Sequence, residues 1–255
     1  IELPDNNYSL KETHMSSMFC YQCEQTAQGS GCTSFGVCGK DPESATLQDL
    51  LVHAAKGISQ YAHRARQFGA SDREVDVFVV EALFTTVTNV NFDPARLQQL
   101  LLRAAMVRDK ARKMYEEAAG DKAEELTGAA TWVPEAGMQQ LVTQGEEVTI
   151  ANRLELQGPD VTGLQELILY GLKGSAAYAD HAQVLGKEDD AVYAFFHETL
   201  DYLAGDPTDV DDLVAHVLKC GEVNIRVMQL LDEANTGSYG HPEPTQVRVT
   251  PIKGK

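Results

Sequence analysis

Most of the chain follows a helical pattern of apolar and polar positions. Along residues 44–68, apolar or small side chains alternate at spacings of three and four, which places them on one face of a helix. The row consists of Leu47, Leu51, Ala54, Ile58, Tyr61, Ala65 and Phe68. Asp41 before Pro42 supplies a capping oxygen and a first-turn residue, and Gly69 supplies a left-handed stop. The pattern predicts a helix over 44–68.

Two further helix starts follow this first helix. Ser71 with Glu74 has the spacing of a capping box, and Asp93 before Pro94 is typical of a third helix start. Three helices in close succession indicate an up-down-up arrangement. The sequence therefore predicts a three-helix bundle over 44–119.

The bundle is repeated later in the chain. An offset of 117 positions places LQDLLVHAAKGISQYAHRARQFG over LQELILYGLKGSAAYADHAQVLG, and nine of these 23 positions are identical. The pair Lys56–Gly57 falls on Lys173–Gly174, and Asp206–Pro207 is expected to open the last helix. We predict a second three-helix bundle over 160–234, and hence a mainly α fold of two tandem, sequence-related bundles.

The remaining segments are expected to connect or to precede these bundles. Residues 1–17 are interpreted as a vector-derived leader, and 120–159 as an irregular connector. The connector holds the chain's single tryptophan, Trp132, which is expected to pack at the junction of the bundles. The Gly- and Pro-containing stretch 235–255 is interpreted as a connector toward further α/β domains.

Composition and charge narrow the classes of partner. The 255 residues include 21 Lys and Arg against 38 Asp and Glu, which gives a formal net charge of −17. This charge repels phosphate backbones and anionic membranes, so neither nucleic acid nor a membrane is an expected partner. Residues 1–17 also lack the apolar stretch of a secretory signal. A reducing cytoplasm is therefore the expected compartment.

Four of the five cysteines lie within nineteen positions near the start of the chain. Cys20 and Cys23 form a CxxC pair, and Cys32 and Cys38 follow at gaps of eight and five residues. Glycines between them remove side-chain bulk and allow backbone amides to approach sulfur. Residues 18–43 are thus predicted to form a cysteine-rich loop that can wrap a compact metal centre.

Spacing alone leaves three interpretations of this loop open. Two disulfides would suit a small secreted domain, but nothing in the chain indicates export. A structural zinc site also uses four thiolates, although zinc ribbons usually present two tight cysteine pairs and this loop has one. A cubane iron–sulfur cluster tolerates uneven spacing and is favoured.

Several motifs then add a family resemblance. The stretch MFCYQCEQTAQGSGCTSFGVCGK, followed by LQDLL, TNVNFD, YGLKG with AAYADHAQVLG, and LLDEANTGSYGHPEPTQV, resembles the N-terminal part of the hybrid-cluster (prismane) protein family. In that family the four leading cysteines bind a cubane cluster near the protein surface. The resemblance implies the same role for Cys20, Cys23, Cys32 and Cys38, and their spacing is similar to that of the members that carry [4Fe–4S].

The resemblance also implies an activity for a longer parent protein. Family members reduce hydroxylamine to ammonia and water, and nitric oxide reduction is also ascribed to them. That chemistry occurs at a hybrid iron–sulfur–oxygen cluster, whose histidine, glutamate and cysteine ligands belong to two later α/β domains. Only Cys220 lies outside the loop here, and His241 falls upstream of the family's histidine ligand.

This chain is thus expected to be an electron relay without catalytic residues. Its expected partners are the C-terminal α/β domains of the same protein and a redox donor protein. The alternative is a helical interaction module with a structural four-cysteine zinc site.

Other residues have simpler interpretations. Cys220 is expected to be a buried core thiol, and Lys40 to tune the cluster potential by its charge. Tyr61 and Tyr178 occupy one repeated position, which suggests packing. Surface or hydrogen-bonded core positions are expected for His53, His63, His181, His197 and His216.

Overall fold

The computed structural model describes residues 18–249, and their regular structure is helical. The helices are α1 (Pro42–Gln67), α2 (Arg73–Thr85), α3 (Pro94–Ala119), α4 (Met138–Glu146), α5 (Ile150–Val184), α6 (Asp190–Ala204) and α7 (Val210–Tyr239). Short 3-10 turns cover Ala27–Gly29, Gly120–Lys122 and Gly128–Thr131. The mainly α prediction is confirmed. The leader interpreted over 1–17 and the end of the last connector, 250–255, lie outside the described residues.

The helix bounds reproduce the sequence repeat. Pro42 begins α1, and Pro159, 117 positions later, begins the main part of α5 behind a break at Gly158. Gln67 and Val184, which end these helices, are separated by the same offset. Under the repeat, α2 therefore corresponds to α6, and α3 corresponds to α7.

The segment predicted as an irregular connector, 120–159, contains regular helix. It includes α4 and the first turns of α5, which run from Ile150 to the break at Gly158. Leu141 and Val142 of α4 are buried against the core, so tertiary burial stabilises a helix that is too short to persist alone.

Two predicted helix starts are displaced. The side chain of Asp72, and not that of Ser71, caps α2 by accepting from the Glu74 amide at 2.9 Å and the Val75 amide at 3.2 Å. Asp209, and not Asp206, caps α7 by accepting from the Asp212 amide at 2.9 Å. In both cases a neighbouring aspartate offers the carboxylate that reaches the free amides.

Helix α7 also runs further than predicted and includes 235–239. Asn235 donates to the Leu231 carbonyl at 3.0 Å, and Thr236 donates to the Asp232 carbonyl at 2.7 Å. These polar side chains satisfy their hydrogen bonds on the preceding turn, so they do not interrupt the helix. The stop comes at Gly240, whose φ of 77° favours glycine.

The helices of the two predicted bundles share one hydrophobic core. Besides the packing within each repeat, α1 packs on α6 and α2 packs on α5. These two pairs are equivalent under the repeat, so the copies contact each other in a reciprocal manner. Fully buried side chains from both copies meet in this core, among them Leu51, Ile58, Phe78, Leu172, Phe196 and Leu200.

A buried polar network joins α1, α2 and α6. His197 Nε2 lies 2.8 Å from Asp76 Oδ1, and His197 Nδ1 lies 3.0 Å from Ser59 Oγ. Arg66 donates to the other Asp76 oxygen at 2.7 Å. His197 is thus a hydrogen-bonded core histidine, as predicted.

The segment that follows α3 covers one face of α1. A Cβ on Gly57 would collide with the Ala129 carbonyl, and one on Gly145 would lie 2.5 Å from the Thr46 methyl group. Trp132 stands edge-on to His53 at 6.4 Å between ring centroids, and its carbonyl accepts from Arg108 of α3. These Trp132 contacts lie within the first repeat. Within residues 18–249, no helix is both long and apolar enough to cross a membrane.

Candidate metal centre

The cysteine-rich loop begins with a short antiparallel pairing. The Cys20 amide donates to the Cys32 carbonyl at 3.0 Å, and the Cys32 amide donates to the Cys20 carbonyl at 2.8 Å. The Met18 amide extends the pairing to the Thr33 carbonyl at 3.2 Å. Residues directly opposite in such a pair project their side chains to the same side. The backbone therefore directs the Cys20 and Cys32 side chains to the same side of this pairing.

Cys23 lies at the start of the following turn. The Thr26 amide donates to the Cys23 carbonyl at 3.2 Å, while the Thr26 hydroxyl donates to the Cys20 carbonyl at 2.9 Å. Thr26 thus closes the CxxC turn with both its backbone and its side chain.

Two glycines of the loop lie where a side chain would meet close neighbours. Gly31 has a φ of 155°, and a Cβ there would lie 2.6 Å from the Phe19 ring. A Cβ on Gly36 would lie 3.2 Å from Cys38 Sγ. The Gly36 amide donates to the Lys40 carbonyl at 2.8 Å and so closes the turn that carries Cys38. Any side chain at Gly31 or Gly36 would therefore crowd the sulfur-bearing turns.

Backbone amides are directed at the Cys32 sulfur. The Val37 amide is the main cause of a lowered pKa for the Cys32 thiol, and the Ala27 amide, 3.4 Å from Sγ, adds to it. The Thr26 hydroxyl lies 3.8 Å from the same sulfur. Such N–H groups stabilise a thiolate, which is the form that binds a metal.

Cys20 has a different electrostatic environment. Burial raises the pKa of its thiol, and the Lys40 ammonium acts in the opposite direction. Lys40 is itself buried, with its ammonium 5.8 Å from the centre of the Phe92 ring. The Lys40 charge therefore acts on Cys20, while its effect on a cluster potential stays a prediction.

Sequence reasoning missed the residues that hold the loop on the helices. The Gln22 amide group donates to the Thr88 hydroxyl at 3.0 Å and the Thr86 carbonyl at 3.2 Å. The Lys173 ammonium donates to the Gln22 side-chain carbonyl at 2.9 Å. The one sequence signal for Lys173 was its place in the Lys–Gly pair that the two repeats share.

A small polar cavity of about 30 Å³ lies between α1 and α5, and the charges of Glu166 and Asp49 on its lining act on Lys173. It is lined by Asp49, Lys56 and the ion pair of Arg153 with Glu166. Burial raises the pKa of Asp49 to about 7 and lowers that of Lys56 to about 8. Desolvation therefore moves both pKa values toward neutrality.

Comparisons with known proteins identify the family of this chain. The sequence profile of the Prismane/CO dehydrogenase family matches residues 18–255. The chain belongs to the Prismane/CO dehydrogenase family. Among its relatives are proteins named hydroxylamine reductase from Rhodospirillum rubrum (54% identical), Syntrophobacter fumaroxidans (52%) and Methanocella arvoryzae (48%). Each match covers 93% of this chain but only 44% of the relative, so the chain spans less than half of their length.

The donor types of this prismane-family loop fit an iron–sulfur cluster. Thiols on a short loop with N–H groups directed at sulfur are the usual surroundings of such clusters. Within residues 18–249, however, no three His, Cys, Asp or Glu side chains lie close enough together to hold one metal ion, and every cysteine is a free thiol. The structure pairs Cys20 with Cys32, and the four-cysteine ligand set remains a prediction.

Cys220 lies apart from the loop. It is buried on α7, and burial raises the pKa of its thiol to about 11. A Cβ on Gly171 of α5 would lie 2.7 Å from its sulfur, so the thiol fills the contact between these helices. Cys220 is thus a core thiol, as predicted.

Proposed function

We propose that this chain is the N-terminal iron–sulfur electron relay of a hybrid-cluster protein. Cys20, Cys23, Cys32 and Cys38 would hold a [4Fe–4S] cluster. The complete parent protein would reduce hydroxylamine to ammonia and water, or act on nitric oxide. The observation that carries the proposal is the amide-stabilised Cys32 thiol within a chain whose relatives are named hydroxylamine reductase.

The loop residues have separate roles in this proposal. When bound, the cluster would accept and release one electron at a time. The Val37 and Ala27 amides favour the thiolate form of Cys32 by lowering its pKa, and the Lys40 ammonium favours the charged form of Cys20. Gln22 holds the loop between the end of α2 and α5.

The proposal assigns the catalytic step to other parts of the parent protein. Reducing hydroxylamine takes two electrons, and the hybrid cluster that performs it needs several further cysteine ligands. Outside the loop this chain has only Cys220. We therefore expect no hydroxylamine turnover by the chain alone under reducing, anaerobic conditions. Ammonia production by a preparation that contains only this chain would contradict the assignment.

The proposed partners are the C-terminal α/β domains of the same protein and a redox donor protein. The net charge of −17 argues against nucleic acid and anionic membranes. A reducing cytoplasm would keep the cysteines available as ligands.

Metal analysis of anaerobically purified chain tests the proposal. We expect four iron atoms and four acid-labile sulfides per chain, with a brown colour that bleaches when dithionite is added. A colourless protein with one zinc per chain would contradict it and would support a helical interaction module with a structural metal.

A further inference from the structure

An open groove runs between α5 and α7, with a volume of about 320 Å³. Its α5 side is a row with helical spacing: Leu167, Gly171, Gly174 and Tyr178. Leu167 is 52% exposed and Tyr178 is 40% exposed. On the α7 side, Cys220 forms the floor, and Asn224 accepts from Ser175 at 3.0 Å. Two large side chains of α5 thus form a surface that no other part of residues 18–249 covers.

The same row is covered in the first repeat. The repeat offset places Leu167, Gly171, Gly174 and Tyr178 on Leu50, Ala54, Gly57 and Tyr61. All four of these α1 residues are buried. The polypeptide that follows α3 crosses α1 at Gly57, where the Ala129 carbonyl leaves no room for a Cβ.

Gly174 is the uncovered counterpart of Gly57. Among residues 18–249, no atom lies within 4 Å of the position that a Cβ on Gly174 would take. The two tyrosines of the row also differ in burial. Tyr61 packs near Tyr115 with 6.3 Å between ring centroids, whereas Tyr178 is exposed. The two copies therefore present the same type of surface, and in the described part of the chain only the copy in the first repeat is covered.

We propose that the polypeptide that continues from α7 in the longer protein covers this groove. It would lie over Gly174 as the polypeptide after α3 lies over Gly57. The relatives carry more than half of their length beyond the matched part, which supplies such an occupant. Residues 240–249, which follow α7, are exposed, and they include the two apolar residues Val247 and Val249. A second copy of the chain is the poorer occupant, because two chains of charge −17 repel each other.

The groove adjoins the cysteine-rich loop. Tyr170 lines it and stands edge-on to Tyr21, with 5.8 Å between ring centroids. Lys173, the neighbour of Gly174, binds Gln22 of the loop. Docking here would place the following polypeptide beside the candidate cluster. This consequence rests on the proposed electron-relay function, whereas the docking itself does not.

Hydroxyl-radical footprinting tests the docking on two proteins: this chain, and the chain continued into the C-terminal region that its relatives carry. Met228, 43% exposed, lies one turn beyond Asn224 on α7, and Met106 of α3, 66% exposed, is the matched reference. We expect oxidation of Tyr178 and Met228 to be at least about fivefold slower in the longer protein, with Met106 unchanged. Equal rates in both proteins would overturn the proposal. Protection in the short chain that grows with its own concentration would also overturn it, in favour of a dimer.

A pair of leucine variants sharpens this test. Gly174→Leu should restore Tyr178 oxidation in the longer protein toward the rate of the short chain. Ala95→Leu, at an exposed position in the first turn of α3 and outside the groove, should leave the protection intact. Circular dichroism of both variants in the short chain checks that the helices persist. Protection that survives Gly174→Leu would count against the groove. Because the footprint needs no iron, an unprotected groove in iron-loaded protein would refute the docking and leave the relay untouched.

Discussion

The ammonium of Lys173 donates a 2.9 Å hydrogen bond to the side-chain carbonyl of Gln22, 151 positions earlier in the chain. Gln22 lies between Cys20 and Cys23, so this bond ties the cysteine-rich loop to the second repeat. Gln22 also reaches the end of α2 through Thr86 and Thr88. The Gln22 side chain thus bonds the loop to both repeats.

Replacing Lys173 should loosen the loop. Lys173→Met removes a charge-assisted hydrogen bond of about 1.5–3 kcal/mol, part of which is offset because the buried ammonium no longer has to be desolvated. We expect the Cys20 and Cys32 amides to exchange with deuterium about tenfold faster.

Lys56→Met is the matched control for this prediction. Lys56 is the repeat counterpart of Lys173, and it donates to the Leu203 carbonyl at 3.1 Å instead of to the loop. Exchange at Cys20 and Cys32 should be unchanged in this variant. Equal acceleration in both variants would show that the effect is a general loss of stability.

Alanine at the two repeated glycines should have opposite effects on this chain. Gly57→Ala forces a Cβ into the Ala129 backbone and should lower the free energy of unfolding by about 1–3 kcal/mol. Gly174→Ala fills open space in a helix and should raise it by about 0.5–1 kcal/mol. Urea unfolding followed by circular dichroism measures both, and a destabilised Gly174→Ala chain would contradict the uncovered groove.

Acid should destabilise the fold partly through His53. Burial lowers the pKa of His53 to about 4, and the nearby Lys56 ammonium adds to the effect. Because the unfolded-state pKa is about 6.5, this contribution is full above about pH 6.5 and is lost as the pH falls toward 4. His197, whose pKa is also lowered, acts in the same direction.

A His53→Gln variant isolates this contribution. Between about pH 7.5 and pH 5 the wild-type chain should lose about 1–2 kcal/mol more stability than the variant. Trp132 lies beside His53 and is the chain's single tryptophan, so its fluorescence reports the unfolding transition. Identical pH profiles would show that His53 is not held neutral by the fold.

The sequence predicted the elements of this fold better than it predicted their packing. The repeat located α1 and α5 because the apolar rows and terminating glycines are local signals. The reciprocal contacts of α1 with α6 and of α2 with α5 depend on side chains at least 65 positions apart, and no local pattern records them. Helix α4 was missed because its stability comes from burial on α1.

The same distinction between local and long-range features holds for the candidate site. The cysteine spacing and the glycines could be recognised in the sequence, and Gly31 and Gly36 lie where a side chain would crowd the loop. Gln22, Thr26 and Lys173 were missed because their roles arise from hydrogen bonds that only the folded chain forms, among them the bond between the loop and α5.

The most direct measurement of the central claim is a spin count by electron paramagnetic resonance on anaerobic, dithionite-reduced chain. The account predicts about one spin per chain, carried by a [4Fe–4S] cluster. Cys32→Ser should abolish the signal, and Cys220→Ser, which changes a thiol of the helical core, should retain it. A chain without the signal and without iron, or a signal that survives Cys32→Ser and disappears with Cys220→Ser, would contradict it.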